Sequence, residues 1–225
     1  MQYMIHACPK RMWYVEEFLL PSLLAQGIQE ADVKVWNDDK GEGNLFACFH
    51  AFESVDKTGN TFHLQDDVLI CSDFKERTEK FEKAGEIVCG FCTRQNDANY
   101  FEAFNKPYKL KFMWWSFPCI MIPNSLAREV AHWFWSAAQY YDKYQGFIKG
   151  KFQDDRVFLD YLQTKRKWTL VYNLNPNLVE HVDYLIGGSA SSRPREVLPV
   201  SAYFPEQGLV EDLREAIEKR GGIPS

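Results

Sequence analysis

Short apolar runs alternate with amphipathic segments along the chain, a pattern typical of a layered α/β domain. Residues 3–7 predict a buried first strand, and residues 13–26 predict a helix with its apolar positions on one face. Pro21 should kink or restart this helix because proline lacks the backbone donor, and Gly27 should cap its end.

The same alternation continues to the end of the chain, without a repeat, a low-complexity segment or a long linker. Asp73 is a favourable N-cap for one of the later helices. Further strands are predicted at 33–36, 61–64, 87–91, 108–122 and 168–172, and further helices at 45–55, 74–84, 124–141, 154–163 and 209–220. The pattern therefore predicts one α/β domain, with a mixed sheet flanked by helices.

Composition narrows the class of protein. The 225 residues are 46% hydrophobic and 25% charged, which excludes disordered, collagen-like and coiled-coil chains. A net charge of −5 lacks the basic excess that nonspecific binding to duplex nucleic acid requires, although a local basic patch is compatible with it. The first residues do not read as a signal peptide, and the longest apolar stretch, 112–123, is too short to cross a bilayer. Most of the 6 cysteines lie in apolar runs, which favours a reduced cytoplasmic protein.

Acidic clusters end two of the predicted strands, at 37–39 and 65–67. Ligands of open α/β sheets bind at the carboxyl ends of strands. Asp66 and Asp67 also fall inside an apolar run, where uncompensated charge is costly. A divalent cation such as Mn²⁺ or Mg²⁺ would compensate them. The alternative is a strand edge at which both side chains are solvated.

Five motifs in chain order extend this reading: HACPKR with LLPSLLAQGI, VWNDDKGEGN, HLQDDVLI, DDRVFLDYL and NPNLVEHVDYLIGGS. Together they resemble the nucleotide-sugar glycosyltransferases of GT-A fold over essentially the whole chain, and they are similar to phage-encoded members of that class. The resemblance implies a Rossmann-like domain spanning 1–225. Its nucleotide-binding part would be about 1–70, its acceptor part about 100–185, and its C-terminal loop and helix 186–225.

The resemblance implies a metal site and its ligands. Asp67 would end the family's Asp-x-Asp metal signature, and Asp66 would contact the metal or the ribose. Gln65 stands at the first signature position, where the family's pattern has Asp, and would contact the nucleotide. His181 would be a second protein ligand of Mn²⁺ or Mg²⁺. The alternative for His181 is a histidine at the edge of the core that hydrogen-bonds to backbone.

Other positions would contact the nucleotide. The resemblance implies base and ribose contacts at the end of the second strand. The amides at the N-terminus of the next helix suit a sugar hydroxyl or an anion, and an arginine of a late loop could clamp phosphate oxygens. The residues are His6, Asn37, Asp38, Asp39, Asn44 and Arg193. As alternatives, residues 37–44 form a plain turn, and the loop at 187–195 is an ordinary surface loop.

The remaining candidates concern catalysis and the acceptor. Asp155 is the candidate general base and Asp154 the helix cap, while in a retaining enzyme both would bind the acceptor. Trp114 and Trp115 would stack on the acceptor sugar, with aromatic core packing as the alternative. The Cys-x-x-Cys pair ending at Cys92 is taken as structural.

The prediction is a metal-dependent, hexosyltransferase-type glycosyltransferase that uses a nucleoside-diphosphate sugar, with UDP as the expected carrier. Its acceptor would be a glycan, a protein or a modified DNA base, in the cytoplasm of the host cell if the protein is phage-encoded. Three alternatives remain: a nucleotidyltransferase, which the glycine-free segment after the first strand disfavours, a noncatalytic nucleotide- or sugar-binding protein, and a metal-dependent phosphohydrolase.

Overall fold

The computed structural model describes residues 1–91, 107–109, 117–143, 154–165, 170–174, 176–187 and 204–223. The described strands are β1 (Gln2–Ala7), β2 (Val33–Asn37), β3 (Asn60–Gln65), β4 (Val68–Ile70), β5 (Ile87–Cys89), β6 (Pro107–Lys109), β7 (Cys119–Pro123), β8 (Leu170–Asn173) and β9 (Val179–His181). The described α-helices are α1 (Met12–Tyr14), α2 (Leu20–Ala25), α3 (Asn44–Glu53), α4 (Phe74–Glu79), α5 (Asn124–Lys143), α6 (Asp154–Lys165) and α7 (Gln207–Lys219).

Seven of these strands form a mixed central sheet in the order β2-β1-β3-β7-β5-β8-β6. β1 pairs in parallel with β2 and β3, because a helix-containing connection returns the chain after each strand. β7 lies antiparallel between β3 and β5, and β4 pairs with β9 in a separate two-stranded ribbon. The predicted mixed sheet flanked by helices in a single domain is confirmed.

Apolar side chains cover both faces of the sheet. One buried cluster joins Ile5 and Leu64 of the sheet to residues of α1, α2, α4 and α7, and the other joins Ile120 to Phe52 of α3, Phe134 of α5 and residues of α6. Alternation along each strand produces this division, since successive side chains point to opposite faces. The helices therefore hold the carboxyl ends of β1 and β3 rigidly in place.

The helix after β1 restarts where the sequence predicts it. A π-helical turn at Val15–Leu19 joins α1 to α2, and Pro21 lies in the first turn of α2, directly after the π-helical turn. Gly27 ends α2 with a φ of 79°, its N–H donating to the carbonyl of Leu24 at 2.8 Å. The predicted glycine cap is confirmed.

The helix expected at 74–84 is shorter than its sequence pattern indicates. α4 ends at Glu79. The side-chain amide of Asn60 donates hydrogen bonds to the carbonyls of Phe81, Glu82 and Ala84, and these bonds hold the residues after α4 in turns. Asp73 stands at the N-cap position of α4, as predicted, but its side chain makes no capping hydrogen bond. In the described part of the chain, no helix combines the length and apolarity that a bilayer crossing requires.

Candidate functional site

The carboxyl ends of β1, β2 and β3 lie together because these strands are parallel. Ala7 pairs with Asn37, and His6 pairs with Gln65. The β4–β9 ribbon adds a fourth component to this edge, because its register sets His181 opposite Val68. His181 therefore lies beside Asp66 and Asp67, which follow β3, although it is more than a hundred residues away in the sequence.

Four charged or titratable side chains meet at this edge, and we call them the carboxylate cluster: Arg11, Asp66, Asp67 and His181. Arg11 Nη2 lies 2.6 Å from Asp66 Oδ1, and Arg11 Nη1 lies 2.5 Å from Asp67 Oδ2. His181 Nε2 lies 3.2 Å from the same Asp67 Oδ2. The structure thus brings together the three residues predicted as metal ligands and adds an arginine to them.

The two carboxylates are buried, with 1% of Asp66 and 4% of Asp67 exposed. The alternative of a solvated strand edge is therefore wrong. The guanidinium of Arg11 supplies the compensating charge, which a buried carboxylate requires. Sequence reasoning weighed a metal ion or solvent for this role and did not consider an arginine.

The pKa values of the pair move in opposite directions. Burial raises the pKa of Asp66 above its ordinary value, and the charge of Arg11 only partly offsets it. Burial alone would also raise the pKa of Asp67, but His181 and Arg11 hold it well below its ordinary value. Asp67 is therefore the more acidic of the two carboxyls.

Further contacts orient the cluster. The backbone N–H of Cys8 donates to Asp66 Oδ2 at 2.8 Å, and the buried Asp183 lies 3.8 Å from His181 Nδ1. A carboxylate behind an imidazole is the usual support of a metal-binding histidine. Within the described residues, Asp67 Oδ1 is buried and has no hydrogen-bond partner.

The carboxylate of Asp154 contacts Gln65, the residue at the first position of the Asp-x-Asp signature. Gln65 Nε2 donates to Asp154 Oδ2 at 2.9 Å, and Asp154 Oδ1 accepts from the N–H of Asp155 at 2.9 Å. Burial raises the pKa of Asp154 to about 6, and the charge of Asp67 acts in the same direction. Asp155 is buried beside it. Both candidate bases therefore lie beside the carboxylate cluster.

Three further side chains contact one another near the same end of β1 and β3, and we call them the histidine cluster: His6, His63 and Cys48. His6 Nε2 lies 2.9 Å from His63 Nδ1, and Cys48 Sγ lies 3.8 Å from His6 Nδ1. Burial lowers the pKa of His6 to about 3 and that of His63 well below its usual range. Phe52 packs against both rings. The predicted nucleotide contact of His6 stays a prediction.

The acidic turn after β2 is held by its own side chains. Asp38 accepts the N–H groups of Glu42 and Gly43 at 2.8 Å and 2.7 Å, and Asn37 Nδ2 donates to Asp39 Oδ1 at 2.6 Å. These are the bonds of a turn that leads into α3. Nucleotide contacts of Asn37, Asp38, Asp39 and Asn44 stay predictions. Trp114, Trp115, Cys92 and Arg193 lie outside the described residues.

The donor types of the carboxylate cluster fit a divalent cation such as Mn²⁺. Carboxylate oxygens and an imidazole nitrogen are ligands that such an ion accepts. The 3.2 Å between Asp67 Oδ2 and His181 Nε2 is close to the ~3.0 Å separating adjacent ligands of an octahedral ion bound at ~2.1 Å. However, no three His, Cys, Asp or Glu side chains in the described ranges form a ready metal site. Arg11 contacts Asp66 Oδ1 and Asp67 Oδ2, oxygens that such an ion would also use.

Arg11 is the residue that sequence reasoning missed. A signal for it was present, because a basic residue follows β1 within a few positions and β1 runs parallel to β3, which ends in the acidic pair. Asp183 was missed as well, although it lies two residues after His181. Arg11 is recognisable only once β1 and β3 are paired, whereas the contact of Asp183 with His181 is local in sequence.

No protein-family model and no curated protein matches this chain. Solved structures with partial likeness include the galactosyltransferase LgtC in complex with donor and acceptor sugar analogs, which is 12% identical, with 78% of this chain and 73% of that chain covered and a TM-score of 0.46. The apo-form glycosyltransferase GlyE of Streptococcus pneumoniae is 11% identical, with 100% and 64% covered and a TM-score of 0.47.

A third likeness belongs to a different class of enzyme. The inositol-1-phosphate CTP transferase from T. maritima is 12% identical, with 80% of this chain and 87% of that chain covered and a TM-score of 0.44. Likenesses this distant do not decide a function, so the chemistry must come from the residues of the site.

Proposed function

We propose that this protein is a metal-dependent glycosyltransferase that moves a sugar from a nucleoside-diphosphate donor, with UDP as the expected carrier, to an acceptor hydroxyl. One observation carries the proposal: a buried carboxylate pair and a histidine meet at the carboxyl edge of the parallel strands, beside a further carboxyl whose pKa is raised to about 6. This edge is where open α/β sheets bind their ligands.

Asp67 and His181 are the residues that would hold the metal, with Asp66 beside them. A bound divalent cation supplies Lewis-acid stabilisation to the departing diphosphate. Asp183 Oδ1 lies 3.8 Å from His181 Nδ1, and this electrostatic contact favours the ring orientation in which Nε2 faces Asp67. The neighbouring turn at residues 37–44 is proposed to contact the base and ribose.

Asp154 is the better placed of the two candidate bases. A general base works best when its pKa lies close to the working pH, and burial raises the pKa of Asp154 to about 6. The amide of Gln65 holds its Oδ2 toward the strand edge. In this proposal Asp154 takes the proton of the acceptor hydroxyl, and Asp155 positions it through the backbone N–H that donates to Oδ1.

A thermal-shift panel tests the donor assignment. Nucleoside diphosphates and nucleotide sugars are added with and without Mn²⁺ to the wild-type protein, to Asp67→Asn and to Asp56→Asn, which alters an exposed carboxylate elsewhere. A ligand at 100 times its Kd stabilises the folded state by about 2.7 kcal/mol. The expected result is a metal-dependent shift for one nucleotide that survives in Asp56→Asn and disappears in Asp67→Asn. The absence of any nucleotide shift would refute the donor assignment.

Product analysis separates the transferase from its alternatives. Incubation of the recognised donor with acceptor mixtures should yield a glycosylated product together with the nucleoside diphosphate. Release of free sugar or phosphate without any dependence on acceptor would indicate a phosphohydrolase. Binding without turnover under every condition would indicate a noncatalytic protein.

A further inference from the structure

The guanidinium of Arg11 bridges two carboxylates that come from consecutive residues. Its two terminal nitrogens bind Asp66 and Asp67 separately, at 2.6 Å and 2.5 Å. A turn at Pro9–Arg11 brings the arginine back over the end of β3, and the N–H of Cys8 binds Asp66 from the same segment. The loop after β1 is therefore fitted to the acidic pair by both its backbone and its side chain.

The cluster is nevertheless short of positive charge. Two carboxylates face a single guanidinium, and His181 adds a charge only if it is protonated. Across the described residues, the buried Asp67 Oδ1 and Arg11 Nε both lack hydrogen-bond partners. A site that is complete by itself would satisfy these atoms, because an unpaired buried polar atom is costly.

Arg11 binds the very oxygen that the proposed metal needs. Asp67 Oδ2 lies 2.5 Å from Arg11 Nη1 and 3.2 Å from His181 Nε2. A cation coordinated by Asp67 Oδ2 and His181 would lie within a few ångströms of the guanidinium, and two positive charges at that distance repel each other strongly. The two cations therefore cannot share Asp67 in the present arrangement.

We propose that Arg11 is a tethered cation that occupies the carboxylate pair in the metal-free protein and competes with the divalent metal for Asp67. The inference rests on the metal site of the proposed function and adds a regulatory element to it. Arg11 partly compensates the two carboxylates in the metal-free protein, and it weakens metal binding until the metal displaces its guanidinium from Asp67. Removal of Arg11 should then strengthen metal binding rather than weaken it.

Calorimetric titration of Mn²⁺ into nucleotide-free protein tests the competition. Arg11→Met removes the charge and keeps an apolar side chain, while Lys10→Met removes the same charge from an exposed neighbour that makes no described contact with the pair. The expected result is a Kd for Mn²⁺ at least about tenfold lower in Arg11→Met than in wild type, with a change of less than about twofold in Lys10→Met. Equal or weaker binding by Arg11→Met than by Lys10→Met would overturn the proposal.

Arg11→Gln provides a decision if Arg11→Met does not fold. Its amide can still donate a hydrogen bond to a carboxylate but carries no charge. Competition predicts that Arg11→Gln binds Mn²⁺ more tightly than wild type, and a Kd equal to or above that of wild type would overturn it. Mn²⁺ should also raise the melting temperature of either variant more than that of wild type. If neither wild type nor variants bind Mn²⁺, the metal site of the proposed function fails and this inference with it, whereas binding with equal affinity refutes only the competition.

Discussion

The carboxylate cluster and the histidine cluster lie at the same end of the same parallel strands, and they accommodate buried polar atoms in opposite ways. The carboxylate cluster keeps its charges and balances them with Arg11. The histidine cluster gives up its charges, since burial lowers the pKa of both imidazoles. Gln65 lies in sequence between His63 of the histidine cluster and Asp66 of the carboxylate cluster, and its side chain donates a hydrogen bond to Asp154.

This difference separates a cluster that keeps buried charge from one that is neutral. A neutral hydrogen-bonded group packed against Phe52 has little to offer an ionic ligand. A cluster with two carboxylates and one firmly held cation retains negative charge inside the protein, which a divalent ion can neutralise. Changing the charge in either cluster, and measuring folding stability and metal binding, tests this difference.

The largest expected effect is on folding stability. Arg11→Met should lower the free energy of unfolding by about 3–5 kcal/mol at pH 7, because it leaves two buried carboxylates without their counter-charge. The carboxyl pKa values of the folded variant would then lie above their unfolded values. The penalty is therefore full at high pH and shrinks as pH falls and one carboxyl takes a proton. Urea unfolding from pH 5 to 8 measures this, and a deficit independent of pH would contradict the charge explanation.

The next largest effect is on catalysis. Asp67→Asn should reduce kcat/KM by about 10²–10³-fold, since a metal contributes several kcal/mol of charge stabilisation to the transition state. Asp56→Asn is the matched control, because its exposed carboxylate pairs with Lys34, away from the carboxylate cluster. Steady-state assays with the donor identified in the thermal-shift panel measure the ratio. Activity of Asp67→Asn within a few-fold of wild type would remove Asp67 from the proposed site.

The sequence predicted most of the fold because its signals are local. Residues 3–7, the restart at Pro21 and the cap at Gly27 depend on neighbours within a turn or two, and the structure has each of them. The early end of α4 was not predictable in this way, because the Asn60 side chain that donates to the carbonyls of Phe81 and Ala84, just after the helix, comes from a distant strand.

The site was predictable only in part for the same physical reason. Asp66 and Asp67 stand out because acidic residues interrupt an apolar run, and that signal is local. The partner of these carboxylates depends on the parallel pairing of β1 with β3, which sets Arg11 over the pair. Long-range pairing determines which charge compensates a buried carboxylate, and no single segment contains that information.

A smaller effect is expected from acidification of the histidine cluster. The pKa of His6 falls to about 3 in the folded protein, below its unfolded value of about 6.5. The contribution of the neutral ring is therefore full above pH 6.5 and is lost as pH falls toward 3. At pH 5 the stability lost in this way amounts to about 2 kcal/mol. Urea unfolding of wild type and His6→Gln at pH 7 and 5 should show a smaller pH-dependent loss in the variant, and equal losses would contradict the assignment.

The smallest expected effect comes from Cys48, whose thiol lies 3.8 Å from His6 Nδ1. Cys48→Ala should lower the free energy of unfolding by only about 1 kcal/mol, because a thiol is a weak donor and the side chain is small. It should also leave the metal-dependent nucleotide shift unchanged, since the neutral cluster balances no charge of the site. Urea unfolding and the thermal-shift panel measure both quantities. Loss of the nucleotide shift in Cys48→Ala would show that the two clusters act as one unit, because only a coupled network transmits so small a change.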